Sequence, residues 1–119
     1  MKVLLTLGLL ISFTISCNSQ NCKNLPDKFT SYSEAVASVK SSSFAMKEDA
    51  NTSNSSWITS AKYYSCDGQS GYFIYTTTSG QTYIHAGVPV YIWRAFKEAS
   101  SKGTYYNSNI KGNYRLNLK

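Results

Sequence analysis

Histidine is almost missing from this chain, with His85 alone among 119 residues. Acids are scarce too, six against twelve lysines and arginines, and cysteine occurs three times. Each shortage excludes a class of chemistry. Metal sites want His, Cys, Asp and Glu gathered at short spacing, whereas the acids here (Asp27, Glu34, Glu48, Asp49, Asp67, Glu98) are scattered. A nucleophilic Ser or Cys needs a base beside it, and no motif brackets a serine with His85. Hydrolysis by paired carboxylates needs two placed acids, and a phosphate-binding loop needs its glycine pattern; the sequence has neither. The expectation is a protein that is not an enzyme, with no catalytic residue, no metal ligand and no cofactor.

Long apolar runs are lacking as well, with one exception at the start. Val3 to Phe13 is nearly unbroken, but at roughly 11–13 residues it falls short of the ~20 that a spanning helix needs. Behind Met1-Lys2 it fits the apolar region of a cleavable signal over residues 1–16. The next residues, Thr14-Ile15-Ser16-Cys17, resemble a bacterial lipobox, in which the cysteine is acylated and becomes the new N-terminus. Thr14 stands where leucine is usual. Ordinary secretory cleavage near Ser16–Ser19, with Cys17 incidental, is the alternative. The lipobox reading implies a lipid bilayer as partner, through acylated Cys17, and a place in the bacterial cell envelope. Asn18 is not the Asp associated with inner-membrane retention, which favours the outer membrane or periplasmic face.

Three cysteines make an odd count, which calls for an explanation in an exported protein. With Cys17 carrying lipid, Cys22 and Cys66 remain as an even pair for a disulfide in an oxidising compartment. Closing that loop is worth roughly 4 kcal/mol on the chain-entropy account.

Ten tyrosines and 14% aromatic content argue against a disordered chain and for one small domain after the signal. The positive charge is segregated. Residues 17–93 balance five lysines against five acids, while residues 94–119 set Arg94, Lys97, Lys102, Lys111, Arg115 and Lys119 against Glu98 alone. A one-sided basic end is a candidate contact for anionic partners, or simply a solvated rim.

Residues 17–30 are polar and aperiodic and read as a tether. Ser31 to Lys40 reads as a helix, with Ser31 or Ser33 as N-cap, Glu34 in the first turn, and Tyr32, Ala35, Val36 and Val39 on one face. Ser42–Lys47 has strand character, and Asp49–Ser56 is loop; with the helix these make an N-terminal extension over 31–56. A meander follows: Trp57–Cys66, a turn at Asp67–Gly71, Tyr72–Thr78, a Ser79-Gly80 hairpin and Gln81–Ala86. Gly87-Val88-Pro89 opens a helix with Val88, Ile92, Ala95, Phe96 and Ala99 as its stripe, stopped by Gly103. A tyrosine-rich basic tail runs from Thr104, with Gly112 marking a turn. The fold class is α+β: an antiparallel meander of three or four strands packed by a C-terminal helix, with an extra N-terminal helix.

From Trp57 to Tyr114 the chain resembles the KTSC domain, known from the C-terminus of some lysyl-tRNA synthetases and from small bacterial proteins. The matching residues are Ser60, Tyr63, Gly80, Tyr83, Gly87-Val88-Pro89, Phe96, Ala99-Ser100-Ser101, Gly103, Tyr105-Tyr106-Asn107, Ile110-Lys111 and Tyr114. The resemblance sets the domain at 57–115, with 116–119 as a tail. One departure stands out: the family's Tyr-x-Tyr is here Tyr83-Ile84-His85. The resemblance implies RNA binding only as a suggestion, and an exported domain meets no cytosolic tRNA.

Two sets of residues are candidate binding surfaces. Tyr83 and His85 share one strand face and could stack on a sugar or base; alternatively Tyr83 packs under the Val88–Ala99 helix and His85 caps the sheet end. Lys102, Tyr105, Tyr106, Lys111, Tyr114 and Arg115 alternate aromatic and cationic character, suited to an anionic envelope polymer, lipid headgroups or single strands of nucleic acid; alternatively the tyrosines fold back on the helix. The expected function is non-catalytic binding or scaffolding at the envelope through a basic, tyrosine-rich C-terminal face, toward an anionic polymer or a protein. Nucleic-acid binding is the alternative.

Overall fold

The structure is a computed structural model that describes residues 20–119. The signal (1–16), Cys17 and the first residues of the tether lie outside the described residues. Two clusters of buried side chains occupy opposite faces of a four-stranded antiparallel sheet. The chain runs β1 (Gln20–Asn21), α1 (Tyr32–Ser41), β2 (Ser42–Ser43), β3 (Met46–Asp49), β4 (Ile58–Ser65), β5 (Ser70–Thr77), β6 (Thr82–Pro89), α2 (Val90–Glu98) and α3 (Lys102–Asn109). The sheet order is β3-β4-β5-β6, and β1 pairs with β2 in a separate parallel pair. The architecture is therefore α+β, a meander covered on both faces.

Alternation along the strands sorts the side chains. Tyr63 on β4 and Phe73 and Tyr75 on β5 face α2 and α3, in the cluster with Trp93, Phe96, Tyr106 and Ile110. Their neighbours Tyr64, Ile74 and Ile84 face the other way, toward Phe29, Ala35, Val39 and Leu116. A strand buried on both sides cannot alternate apolar with polar, which explains the run of large residues in β4 and β5.

Helix α1 forms where its cap dictates. Ser31 Oγ accepts the Glu34 N–H at 3.1 Å, satisfying a first-turn amide, and Glu34 Oε1 reaches back past the cap to accept the Thr30 N–H at 2.7 Å. Ala35 and Val39 bury against the sheet, but Tyr32 does not share their burial and stays 54% exposed.

Four expectations need correction. The helix expected from Gly87 begins only at Val90, because β6 continues to Pro89. Between Phe73↔His85 and Gly71↔Val88 the register slips, so β6 carries one extra residue there. A bulge reverses the alternation beyond it, putting Val88 on the same face as His85. Gly87, at φ +68°, supplies the left-handed backbone this requires. The pairing persists to the helix, since Val90 N–H donates to Gln69 O at 2.8 Å. With the start displaced, the buried face of α2 is Trp93 and Phe96, whereas Ala95 is exposed.

Second, Gly103 does not stop that helix, which ends at Glu98; it lies inside α3, which runs on into the stretch from Thr104 read as a tyrosine-rich basic tail. Ser101 caps α3 by accepting the Thr104 N–H. Gly103 is there because a Cβ would overlap the Trp57 indole nitrogen. Third, the hairpin loop has three residues, 78–80: Thr77 N–H donates to Gln81 O at 2.9 Å and Gly80 takes the positive φ. Fourth, the single strand expected at Ser42–Lys47 is two short ones, β2 and β3.

Both ends of the body are pinned. Cys22 and Cys66 form a disulfide, with Cα atoms 5.9 Å apart. Phe29, within the stretch read as tether, is fully buried and pairs in parallel with Leu118; its N–H donates to Asn117 O and its carbonyl accepts the Lys119 N–H.

Candidate functional site

Strand β6 is an edge strand, and the chain after α3 passes close to it: His85 bonds the Tyr114 carbonyl, and Leu116 packs with Ile84 on the opposite face. Between this segment, β6 and the start of α1 lies a groove of 520 Å³, within the range of small-ligand sites. Its lining includes Tyr32, Tyr83, His85, Tyr106, Lys111 and Arg115. No acidic residue lines it.

Each of these side chains is held by identifiable partners. Tyr83 is 41% exposed; one ring face stacks on Tyr75, with centroids 5.1 Å apart, and its hydroxyl donates to Gln81 Oε1. The expectation that Tyr83 packs under the helix is therefore not met. Phe73 packs on Trp93 and Phe96 of α2, Tyr75 packs on Tyr106 of α3, and Tyr83 lies outside both as a platform. Below it His85 is stacked parallel to Tyr75 and half-buried. Carbonyls only accept, so the 2.9 Å contact with Tyr114 O places a proton on His85 Nδ1. Nε2 of the neutral ring then accepts from Tyr106 Oη at 2.9 Å, and Tyr106 Oη accepts from Tyr75 Oη at 2.9 Å. The chain of donors is Tyr75 to Tyr106 to His85 to the Tyr114 carbonyl. Burial lowers the His85 pKa, opposed by the hydrogen bond to Tyr114, and burial raises those of Tyr75 and Tyr106. The network is thus neutral at pH 7. Lys111 and Arg115 are exposed at the groove's rim.

Of the residues proposed from sequence, Tyr83, His85, Tyr106, Lys111 and Arg115 converge here, although Tyr106 is buried and serves as wall. Tyr114 contributes its carbonyl, while its side chain packs on the core. Lys102 and Tyr105 lie elsewhere. Lys102 Nζ sits over Phe96 and donates to Ala99 O, and Tyr105 packs edge-on to Phe96. The basic stretch over residues 94–119 is therefore not one face. Lys97 is also spent internally, on Glu48, whose carboxylate takes 2.6 Å and 2.8 Å bonds from Lys97 Nζ and Trp93 Nε1. Those two bonds, with Lys97 foremost, hold Glu48 below the usual carboxylate pKa. Tyr32 was missed as a site residue, because its place in the helical period assigned it to the core. The first position of a helix often escapes the packed face, and that was the available signal.

Among the described residues no three His, Cys, Asp or Glu side chains gather as a metal site, and no helix is long and apolar enough to cross a membrane.

Residues 73–114 match the KTSC domain family, so the resemblance holds from β5 through α3 to Tyr114. Ser60 and Tyr63 on β4 fall outside that match, although Tyr63 joins the same core. No curated protein and no solved structure matches the chain.

Proposed function

We propose that this protein is an exported, lipid-anchored binding module, held by an acylated Cys17, that captures an anionic partner of the cell envelope in the groove beside β6. The observation that carries the reading is the convergence of two exposed tyrosines and two exposed cations, without any acid, in one concavity. Aromatic faces with interleaved cations offer stacking and charge together, which suits an anionic glycan. The disulfide fits an oxidising compartment, and the lipobox-like residues supply the anchor. Catalysis is not part of the reading, because the one imidazole is committed at both nitrogens to protein partners.

Two measurements test it. The mass of the mature N-terminus should correspond to acylated Cys17; an unmodified full-length chain would remove the envelope from the reading. Binding to immobilised heparin, a sulfated polysaccharide, should fall about tenfold or more in a Lys111→Ala, Arg115→Ala double variant. Lys102→Ala, away from the groove, should change it little. Equal loss in both variants would mean diffuse charge rather than a site.

The second reading, single-stranded nucleic acid, draws on the same tyrosines. A gel shift at low salt that is lost steeply as salt rises would favour it over a glycan.

A further inference from the structure

The groove's wall contains the chain's one histidine, and its hydrogen bonds are polarised. Nδ1–H is fixed on the Tyr114 carbonyl, so only Nε2 can change its proton. Nε2 takes its hydrogen bond from Tyr106, whose oxygen in turn accepts from Tyr75. A proton added to Nε2 makes it a donor. Tyr106 Oη, with two lone pairs, can accept from Nε2–H and from Tyr75 at once. Its own O–H then has two places to go, onto Tyr75 Oη if that hydroxyl stops donating, or toward the groove that Tyr106 lines, where an anion would compete for it.

We propose that the groove is a proton-coupled anion site: a partner's anionic group seated by Lys111 and Arg115 draws one proton from solvent onto His85 Nε2, which releases the Tyr106 hydroxyl to donate to that anion. This rests on the groove being the binding site. The groups around His85 are consistent with it. Tyr75 and Phe73 face it from β5, Tyr83 from its own strand, and Tyr106 from α3; Lys111 and Arg115 stand on the segment beyond, and Tyr32 on α1. No carboxylate lines the groove to stabilise an imidazolium in the free protein, and burial disfavours one. An arriving anion supplies the missing opposite charge. Linkage is reciprocal, so acid tightens binding by the same factor that the anion favours the proton.

The test uses the sole imidazole as its reporter. Its carbon-bound protons are followed by NMR from pH 8 to pH 5, without and with a saturating heparin-derived sulfated oligosaccharide, whose sulfates do not titrate in that range. The midpoint is expected to rise by one unit or more on binding, with about tenfold tighter affinity at pH 5.5 than at pH 8. In Tyr106→Phe and in His85→Gln the ratio of affinities at the two pH values should collapse toward one. Binding, seen at the Tyr83 and Arg115 resonances, without any movement of the His85 midpoint overturns the proton link while leaving the groove as the site. No binding at either pH, by any resonance of the groove, overturns the site and the coupling together.

Discussion

Tyr63 does two jobs at once. Its ring stacks on Trp93 at 5.2 Å, and its hydroxyl donates at 2.6 Å to the carbonyl of Val88, just past the bulge. Burial pushes its pKa up to about 12, so it remains a donor at any ordinary pH. Tyr63→Phe should keep the stack and leave the Val88 carbonyl without its partner, a loss of about 1–2 kcal/mol readable as a lower urea midpoint at unchanged slope. His85 and Glu48 are two of the residues that give the stability a pH dependence. His85 has a depressed pKa in the folded state, so the unfolded chain takes up its proton first. Stability is full above about pH 6.5 and declines as pH falls through the folded value. Glu48, also depressed, contributes above about pH 4.5 and loses that contribution further down. Thermal melts at pH 7.5, 5.5 and 4 should therefore fall in two stages, and His85→Gln should remove the pH 7.5-to-5.5 stage only.

Among elements, α3 contributes Tyr106 to the groove wall, and its seat depends on a close approach. Gly103→Ala would force the Trp57 indole away from Tyr75 and Tyr106, against both of which it packs edge-on, and should cost about 1–3 kcal/mol. Ser31→Ala at the start of α1 should cost about 1 kcal/mol, with Tyr32 losing its fixed position at the groove. Both are measurable by denaturant melts. The contrast between these helices shows what was legible. The α1 cap is local chemistry, Ser31 with Glu34, and reads directly from the sequence; so does the β-branched and aromatic content that makes β4 and β5. What Gly103 does is not local. As punctuation it reads as a stop, and only Trp57, 46 positions earlier, explains why a side chain is forbidden there. The bulge at Gly87 misled in the same way, since a glycine before Val-Pro reads as a helix opening until its strand partner on β5 is known. The site was half legible: strand alternation put Tyr83 and His85 together, but adding Lys111 and Arg115 while leaving out Lys102 depends on where the chain passes β6.

At the scale of the whole molecule, the described chain is fastened in two places, the disulfide and the parallel pairing of Phe29 with residues 117–119. Cys22→Ser with Cys66→Ser should lower stability by roughly 4 kcal/mol, more than any of the single substitutions above. A comparison of calorimetric melts would check the order. Leu116 plugs the α1 side of the core, so a chain ending at Asn113 should melt earlier and also lose the carbonyl that fixes the His85 tautomer.

The disulfide joins residues 44 positions apart, from the segment before α1 to the turn that follows β4. Tension applied at Cys22 therefore bypasses α1 and enters the sheet at the end of β4 through a covalent bond. About 150 Å of contour length, at 3.3–3.6 Å per residue, is locked away from stretching. Under the proposed anchoring at Cys17 and capture of a polymer, shear would load the molecule without releasing that slack, and reducing agent would convert a stiff link into a long elastic one.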